Sequence, residues 1–581
     1  MSELVPGRPT AFAKLSEVCE QILATSPRLG KMDLAGRLLS ELPPEEVEAA
    51  ALLLIGQPFP RASSLVLDLD WTSLSHLLEE LLSPPPNRFA TLFRETGDVG
   101  EVVRRLYPEA GRVPQKTLLE EPLTILGVYA TFAAIADLQG PGAQRRKTAL
   151  LRSLFSRATA VEAKYLTKIL IGDQRIGFNE GMLESTIART FSLRLSLVRR
   201  ANMLLGNVGA VAYIGRMQGE AGLQSVQLRP FTPILPMLAA HAEDVADALE
   251  QHGGECAFET KLDGARVQIH LQRDGACRIH IYSRRLTDVT ASLPDLVELI
   301  GRQVTTSSCI LEGEVIARGP DGRPYPFQHL MRRFRRVHDI KDMVDELPVS
   351  LVLFDLLMLN GEALIDSPYT MRRQGLEGVC GTIPVVRQLI TTDPHRAAEF
   401  FDAAIEEGHE GLMAKRLDST YKPGIRGKAW LKIKRSMETL DLIIIAAEYG
   451  SGRRHRWLSD YHLAARDPET GELHMLGKTF KGLTDAEFED ITNRLLALKV
   501  NQHRNVVVVK PQLVAEVEYD EIQQSPTYPS GMALRFARIK RLRFDKSPEE
   551  GDTIQHVREL FALQFKRKAA SNQSGRRVSR K

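Results

Sequence analysis

Cysteine is scarce. The 581 residues contain five, Cys19, Cys256, Cys277, Cys309 and Cys380, and none forms a CxxC pair or a close cluster with histidine. This argues against a disulfide framework and a structural zinc module. No apolar run is long enough to span a bilayer, and the opening MSELVPGRPT has no apolar targeting core. The expectation is a soluble, cytoplasmic protein with no membrane partner. Excess charge is also small. A formal net charge of +3 excludes a histone-like polycation, so positive charge counts only where it clusters: at Arg332, Arg333, Arg335 and Arg336, at Lys428, Lys432, Lys434 and Arg435, and at Arg538, Lys540, Arg541 and Arg543. Neither GxxxxGK[ST] nor GxGxxG occurs, so any bound nucleotide needs another scaffold. Hairpin signals are scarce before residue 220, and internal repeats are lacking throughout.

The length calls for roughly three or four domains. Residues 1–220 read as helical. Periodicity predicts helices over 12–24, 115–137, 144–155, 159–170, 183–195 and 198–212, and Pro43-Pro44 followed by Glu45, Glu46 and Glu48 marks another helix start. Near 226 the chain becomes too rich in proline for a helix interior and reads as a linker or entry strand. Strands are then expected over 267–271, 278–282, 311–317 and 351–357, with a hairpin at Asp274-Gly275 and a helix over 394–407. This α+β region, 221–435, gives way at 436–565 to short strands over 441–448, 460–466, 473–476, 506–510 and 513–519. With one helix over 484–498, they suit a small, partly open barrel of the oligonucleotide-binding type. Residues 566–581 are basic and polar, and disorder is expected there.

The sharpest local feature is Glu259-Thr-Lys261-Leu-Asp263-Gly264-Ala-Arg266. A lysine at a strand end can attack phosphorus once neighbouring charge or burial favours its neutral form. In isolation the same string serves equally as an exposed turn. Further pieces follow in order. Arg284 closes a strand. Glu312-Gly313-Glu314 sets two acids round a glycine, and Phe354-Asp355 lies on a buried strand. Glu410-Gly-Leu-Met-Ala-Lys415 ends in a lysine, and in Trp430-Leu-Lys432-Ile-Lys434 both lysines project to one face. Singly, each has a structural explanation. Together they supply a nucleophile, acids for ribose or metal, an aromatic plate and cations for phosphate.

This ordered set resembles the covalent nucleotidyltransferases, and within them the three-domain ATP-dependent DNA ligases of archaeal type, over nearly the whole chain. The resemblance implies an all-α DNA-binding domain at 1–220, an α+β adenylyltransferase domain of antiparallel sheets with helices at 221–435, and a C-terminal OB-fold β-barrel at 436–565. It implies that Lys261 is the adenylated lysine, that Arg266 and Glu314 hold ribose, and that Glu259 with adjoining backbone reads adenine. Phe354 stacks on adenine, and Arg284 lies close to phosphate and DNA. Lys415, Lys432 and Lys434 bind phosphate, and Glu314 and Glu410 place a divalent metal. In the barrel, Leu534-Arg535-Phe536-Ala537-Arg538 and Lys546 resemble the last family motif, with alanine where proline is usual, and Arg535, Arg538 and Lys546 orient pyrophosphate. Gly477-Lys478-Thr-Phe480-Lys481-Gly482 departs from the usual Thr-Gly-Phe spelling. In the helical part, 160–168 with Gly172-Asp-Gln-Arg175-Ile-Gly177 resembles the family's DNA-binding segment, and Gly177 lets a phosphate approach backbone amides.

The implied activity is sealing of nicked double-stranded DNA by a monomer using ATP and Mg2+, or Mn2+ in its place, associated with chromosomal DNA. A sliding-clamp partner is not legible. An RNA ligase or capping enzyme accounts for KxDG but not for the helical first third. An NAD-dependent ligase lacks support because the four-cysteine zinc module is missing. A non-catalytic DNA-binding protein leaves the ordered lysines and glutamates without purpose.

Overall fold

The computed structural model describes residues 9–563 apart from 64, 70, 110–121, 318–326, 335–343, 345, 425, 435–438 and 504. The boundary expected between 435 and 436 and the basic tail lie outside the described residues. The chain divides into two compact units, Met1–Ser83 with Val103–Ile405 and His409–Lys434, and Pro84–Val102 with Glu406–Gly408 and Arg435–Lys581.

The first unit opens with helices Phe12–Ala24, Arg28–Glu41 and Pro44–Leu54. Phe12, Leu15, Cys19 and Ile22 recur at helical spacing and are all buried. Proline opens the third helix, with Glu45 and Glu46 in its first turn. Thr159 and Glu162 form a capping box at the start of Ala160–Leu170. Two expectations differ from the structure. The helix predicted over 183–195 runs Glu180–Thr190, and Ser192 at φ 54° turns the chain. The one predicted over 198–212 is two helices, Leu195–Leu205 and Val208–Gln224, because Gly206 adopts φ 57° and Asn207 caps the second. The helix predicted over 115–137 is described from Ile125, with Thr124 as its cap. In the proline-rich stretch, Phe231 donates its N–H to His270 Nδ1 at 2.8 Å, and Gln268 bonds both backbone groups of Ile234.

Two five-stranded sheets follow. The first has the order β1 (Leu238–His241), β10 (Arg426–Lys434), β9 (Gly411–Lys415), β2 (Cys256–Lys261), β8 (Gln388–Thr391). The second has the order β4 (Ala276–Ser283), β3 (Ala265–Asp274), β5 (Ser308–Ala317), β6 (Val349–Leu359), β7 (Glu362–Ala363). Pairing is antiparallel as expected, except that β1 runs parallel to β10. Helices Val245–His252 and Pro394–Glu406 cover the outer face of the first sheet through Ala248, Leu249, Ala397 and Ala404. Helices Pro294–Gln303 and Tyr369–Val379 cover that of the second through Leu296, Ile300 and Leu376. The opposite faces meet at Phe354, Met413, Tyr421 and Trp430. Only 262–264 carry the chain from β2 to β3, and so from one sheet to the other. Gly264 is needed there, since a Cβ would lie 2.3 Å from the Val315 carbonyl oxygen.

In the second unit, β13 (Leu473–Thr479), β12 (Leu458–Arg466), β11 (Leu440–Tyr449), β15 (Val506–Glu518) and β14 (Lys499–His503) are hydrogen-bonded in that order, and β18 (Arg538–Leu542) joins β15. A hairpin of β16 (Glu521–Gln524) and β17 (Met532–Arg535) stands apart. The strands predicted over 506–510 and 513–519 are one. Its partner register jumps from Ala446↔Val508 to Ile444↔Leu513, so the bend absorbs Pro511, which has no N–H to offer the ladder. Helix Asp485–Ala497, held by a Thr484–Glu487 capping box, buries Phe488, Ile491 and Leu495 in this core.

Two substitutions test these positions. Phe488→Ala removes a ring stacked between Trp457 and Tyr461, and should cost about 3–5 kcal/mol in the second unit. Gly264→Ala forces a methyl onto backbone, and should cost about 1–3 kcal/mol in the first. Urea titration followed by fluorescence reads both; an unmoved midpoint would contradict the packing described for that unit.

Candidate functional site

Lys261 is the last residue of β2, at the crossing between the sheets. Its Nζ donates to Glu410 Oε2 at 2.5 Å, and Lys434 Nζ lies 3.1 Å from the same oxygen. The Glu410 backbone N–H also donates to the Lys261 carbonyl at 3.0 Å, so backbone and side chain both tie this pair. Gly411 makes the junction. At φ 142° it runs against β10 where a Cβ would meet the Ile433 carbonyl oxygen at 2.1 Å. Burial would raise the Glu410 carboxyl, but Lys261 and Lys434 hold it down at about 2. Glu314 goes the other way: burial pushes it up to about 7, despite Lys261 and Arg266 nearby.

Behind this group the cleft is aromatic. Phe354 is half-buried on β6, edge-on to Trp430 at 6.4 Å between centroids. The Arg266 guanidinium lies 5.3 Å from the Phe354 ring. Arg266 stands opposite Glu314 in the strand register, yet its ion pair at 2.6 Å is with Glu312 on the same face. It also donates to the Met237 carbonyl at 2.7 Å and Tyr421 Oη at 3.1 Å. Arg266 Nε and Glu312 Oε1 are buried without a hydrogen-bond partner. They leave polar capacity beside the ring that a hydroxylated ligand can use.

Glu259 and Lys415 are each 1% exposed and pair at 2.6 Å. Lys415 therefore lies inside the fold, 4.5 Å from the Trp430 ring centroid. Lys432 and Lys434 face the cleft from β10, while Leu431 and Ile433 face the opposite core. Arg284 is exposed in the turn after β4. In the second unit Arg535 faces Glu521 at 3.4 Å, Arg538 faces Glu518 at 4.0 Å, and Lys546 binds Asp441 at 2.6 Å.

The structure thus brings Lys261, Arg266, Glu314, Phe354, Glu410, Lys432 and Lys434 to one cleft, with Glu259 and Lys415 beneath it. Sequence reasoning noted Glu312 beside Glu314 but gave it no role of its own, although the spacing places both on one face of β5. It also passed over Tyr369, Arg372 and Arg373, which carry no local signal. Among the basic clusters, Arg333 is 1% exposed and bound to Asp295 and the Leu347 carbonyl, so it belongs to the core and not to a polyanion surface. Lys540 and Arg541 pair with Glu516, and Arg543 with Asp441 and Asp545. Gly177, at φ 65°, follows Ile176, whose carbonyl accepts from Lys31 at 2.7 Å.

A divalent cation of magnesium type needs few protein ligands, since it keeps water and binds one or two carboxylates plus phosphate oxygens. Glu314 and Glu410 fit that demand, and the raised Glu314 carboxyl is one that an added cation would ionise. Among the described residues no group of three or more His, Cys, Asp and Glu is disposed to form a complete metal cage.

The chain matches the family models for the DNA ligase N terminus over residues 11–188, the ATP dependent DNA ligase domain over 236–434 and the ATP dependent DNA ligase C terminal region over 454–546. It is 44% identical to DNA ligase 1 of Korarchaeum cryptofilum over 556 residues, 95% of this chain and 99% of that protein. It is 41% identical to the DNA ligase of Thermococcus fumicolans over 561 residues, 96% and 99% of the two chains. Among solved structures, Pmar-Lig_PreS3 shares the fold at a TM-score of 0.56 and 17% identity, covering 91% of this chain and 99% of its own. With its lysine-ended strand, aromatic cleft and flanking cations, the chain belongs to the ATP-dependent DNA ligases.

Proposed function

We propose that Lys261 is the residue this ATP-dependent DNA ligase adenylates, and that the protein seals 5′-phosphate/3′-hydroxyl nicks in duplex DNA. The observation that carries the assignment is the meeting of Lys261, Glu410 and Lys434 at the mouth of a cleft whose floor is Phe354.

The unprotonated Nζ of Lys261 attacks the α-phosphorus of ATP. A P–N bond forms, the bond to the bridging oxygen breaks, and pyrophosphate leaves. The resulting phosphoramidate gives its AMP to the 5′-phosphate at the nick and frees the lysine. The 3′-hydroxyl then attacks that phosphate, AMP leaves, and the strand is closed. Negative charge on the nonbridging oxygens falls to Lys432 and Lys434, cations preorganised on one strand face. Glu314 and Glu410 would hold Mg2+, which when bound would supply further charge neutralisation on phosphate. Phe354 stacks on adenine, Glu259 reads its edge, and Arg266 with Glu312 and Glu314 holds ribose. Lys415, buried against Glu259, serves that carboxylate rather than phosphate.

We read the second unit as an OB-fold barrel, with Arg535, Arg538 and Lys546 orienting pyrophosphate and Arg284 serving phosphate and DNA. The sheet bent at Pro511 and covered by one helix supports this reading. The helical part, 1–220, is assigned to DNA, the part at 221–435 to adenylyl transfer and that at 436–565 to the barrel. A nick has no fixed sequence, so contacts go to the backbone, and by the family resemblance we assign the work to chromosomal DNA in the cytoplasm, by a monomer.

Labelling with ATP carrying its label at the α-phosphate should mark wild type and leave Lys261→Ala blank, and added nicked DNA should discharge the mark as the strand closes. Equal labelling of the variant would reject Lys261; discharge by nicked RNA alone would replace the DNA assignment. Binding to nicked duplex should weaken steeply with salt, by about 10³-fold or more between 50 and 200 mM for six or more phosphate contacts. A flat salt response would reject the backbone-contact mode.

A further inference from the structure

Helix Tyr369–Val379 carries two consecutive arginines that go to carboxylates on different sheets. Arg372 is fully buried and binds Asp355 on β6 in bidentate fashion, at 2.8 and 3.1 Å, while also capping the Ser367 and Ser419 carbonyls. Arg373 reaches Glu259 on β2 at 3.3 Å and is fixed by the Val386 carbonyl at 2.9 Å and Glu377 at 2.6 Å. Tyr369, one turn earlier, donates its hydroxyl to Glu259 and accepts from Gln388 Nε2 at 2.5 Å. One helix thus hooks β2, which bears Glu259, and β6, where Asp355 adjoins the Phe354 plate.

The consequence lies in the hydrogen-bonding capacity of Glu259. An ionised carboxylate accepts at about four lone-pair sites. Oε1 takes Tyr369 and Arg373, and Oε2 takes Lys415. One site on Oε2 is left, beside an ammonium 5.1 Å from the Phe354 ring centroid. We infer that Tyr369 and Arg373 are positioning residues for base selection: they hold Glu259 with a single acceptor site aimed at the cleft, which takes an exocyclic amine and repels a carbonyl at that position of the purine. A carboxylate free to turn would present either oxygen and read less sharply. This deepens, and rests on, the assignment of Glu259 to the adenine edge.

The test uses the full chain with ATP, purine riboside 5′-triphosphate (which lacks the exocyclic amine) and GTP as donors for nick sealing. The readout is the ratio of kcat/KM for ATP to that for each other donor. Glu259→Gln should collapse the ratio. Arg373→Gln and Tyr369→Phe should each lower it about tenfold or more, mainly through KM for ATP, as expected for a misplaced hydrogen bond to a charged group. Arg373→Lys, which keeps the cation, should restore most of it. Wild-type ratios in Arg373→Gln and Tyr369→Phe alongside a collapsed ratio in Glu259→Gln would overturn the inference and leave the adenine-edge assignment standing. An equal loss on all donors would reduce the helix to a structural support, which also overturns it. A wild-type ratio in Glu259→Gln would remove the adenine-edge assignment and the inference together. Tyr369→Phe, which keeps the ring's volume, decides the matter if Arg373→Gln does not fold.

Discussion

The ion pair between Glu259 and Lys415 sits where the two sheets face each other, and the cleft is arranged round it. Taking two charges out of water is costly, and their attraction offsets the cost only when the remaining hydrogen-bonding capacity is also filled. Here all but one acceptor site is filled: Tyr369 and Arg373 occupy Oε1 of the carboxylate, Lys415 takes one site on Oε2, and the rings of Trp430, Tyr369 and Phe354 surround the ammonium. Two further buried pairs, Arg372–Asp355 and Arg266–Glu312, repeat the arrangement on the second sheet. Such pairs stabilise a fold weakly against apolar replacements, but losing one partner leaves a buried charge unmatched. We therefore attribute to them the fixing of position: each carboxylate is held by its cation in one arrangement, and the capacity left on Glu259 and Glu312 faces the cleft.

That logic separates what the sequence discloses from what it hides. The strand end at Lys261, the alternation through Trp430, Lys432 and Lys434, and the Asp274-Gly275 turn are local patterns of period two or of turn chemistry, and they survive unchanged in the structure. The helical first third and the sheets of the two later regions were likewise legible from periodicity, apart from breaks made by single residues in unusual backbone conformations, as at Gly206. The partners of Glu259 lie 110, 114 and 156 residues away in the chain, at Tyr369, Arg373 and Lys415. No spacing rule connects them. An Arg-Arg pair on a helix reads as a solvated face until the tertiary contacts are known, and Arg333 was misplaced for the same reason. In Glu312-Gly-Glu314 the sequence put both acids on one face, but which one meets Arg266 depends on the diagonal reach of a long side chain across the strands.

Burial also divides the cleft by how readily its partners can be exchanged. At the end we assign to the base, Glu259, Asp355 and Lys415 are almost wholly removed from solvent, so replacing any partner means passing through an unpaired buried charge. At the end we assign to phosphate, Lys261, Lys434 and Glu410 are each roughly one-quarter exposed and the two lysines share one oxygen. Water can screen each as the pair opens, so a triphosphate can take the place of the carboxylate at modest cost. An enzyme that forms and then discharges a covalent nucleotide needs this division. The base must be held in one pose while the phosphate end passes from carboxylate to triphosphate, to lysyl phosphoramidate and back. A site rigid throughout would hold the nucleotide and fail to release it, and one exchangeable throughout would lose its choice of base.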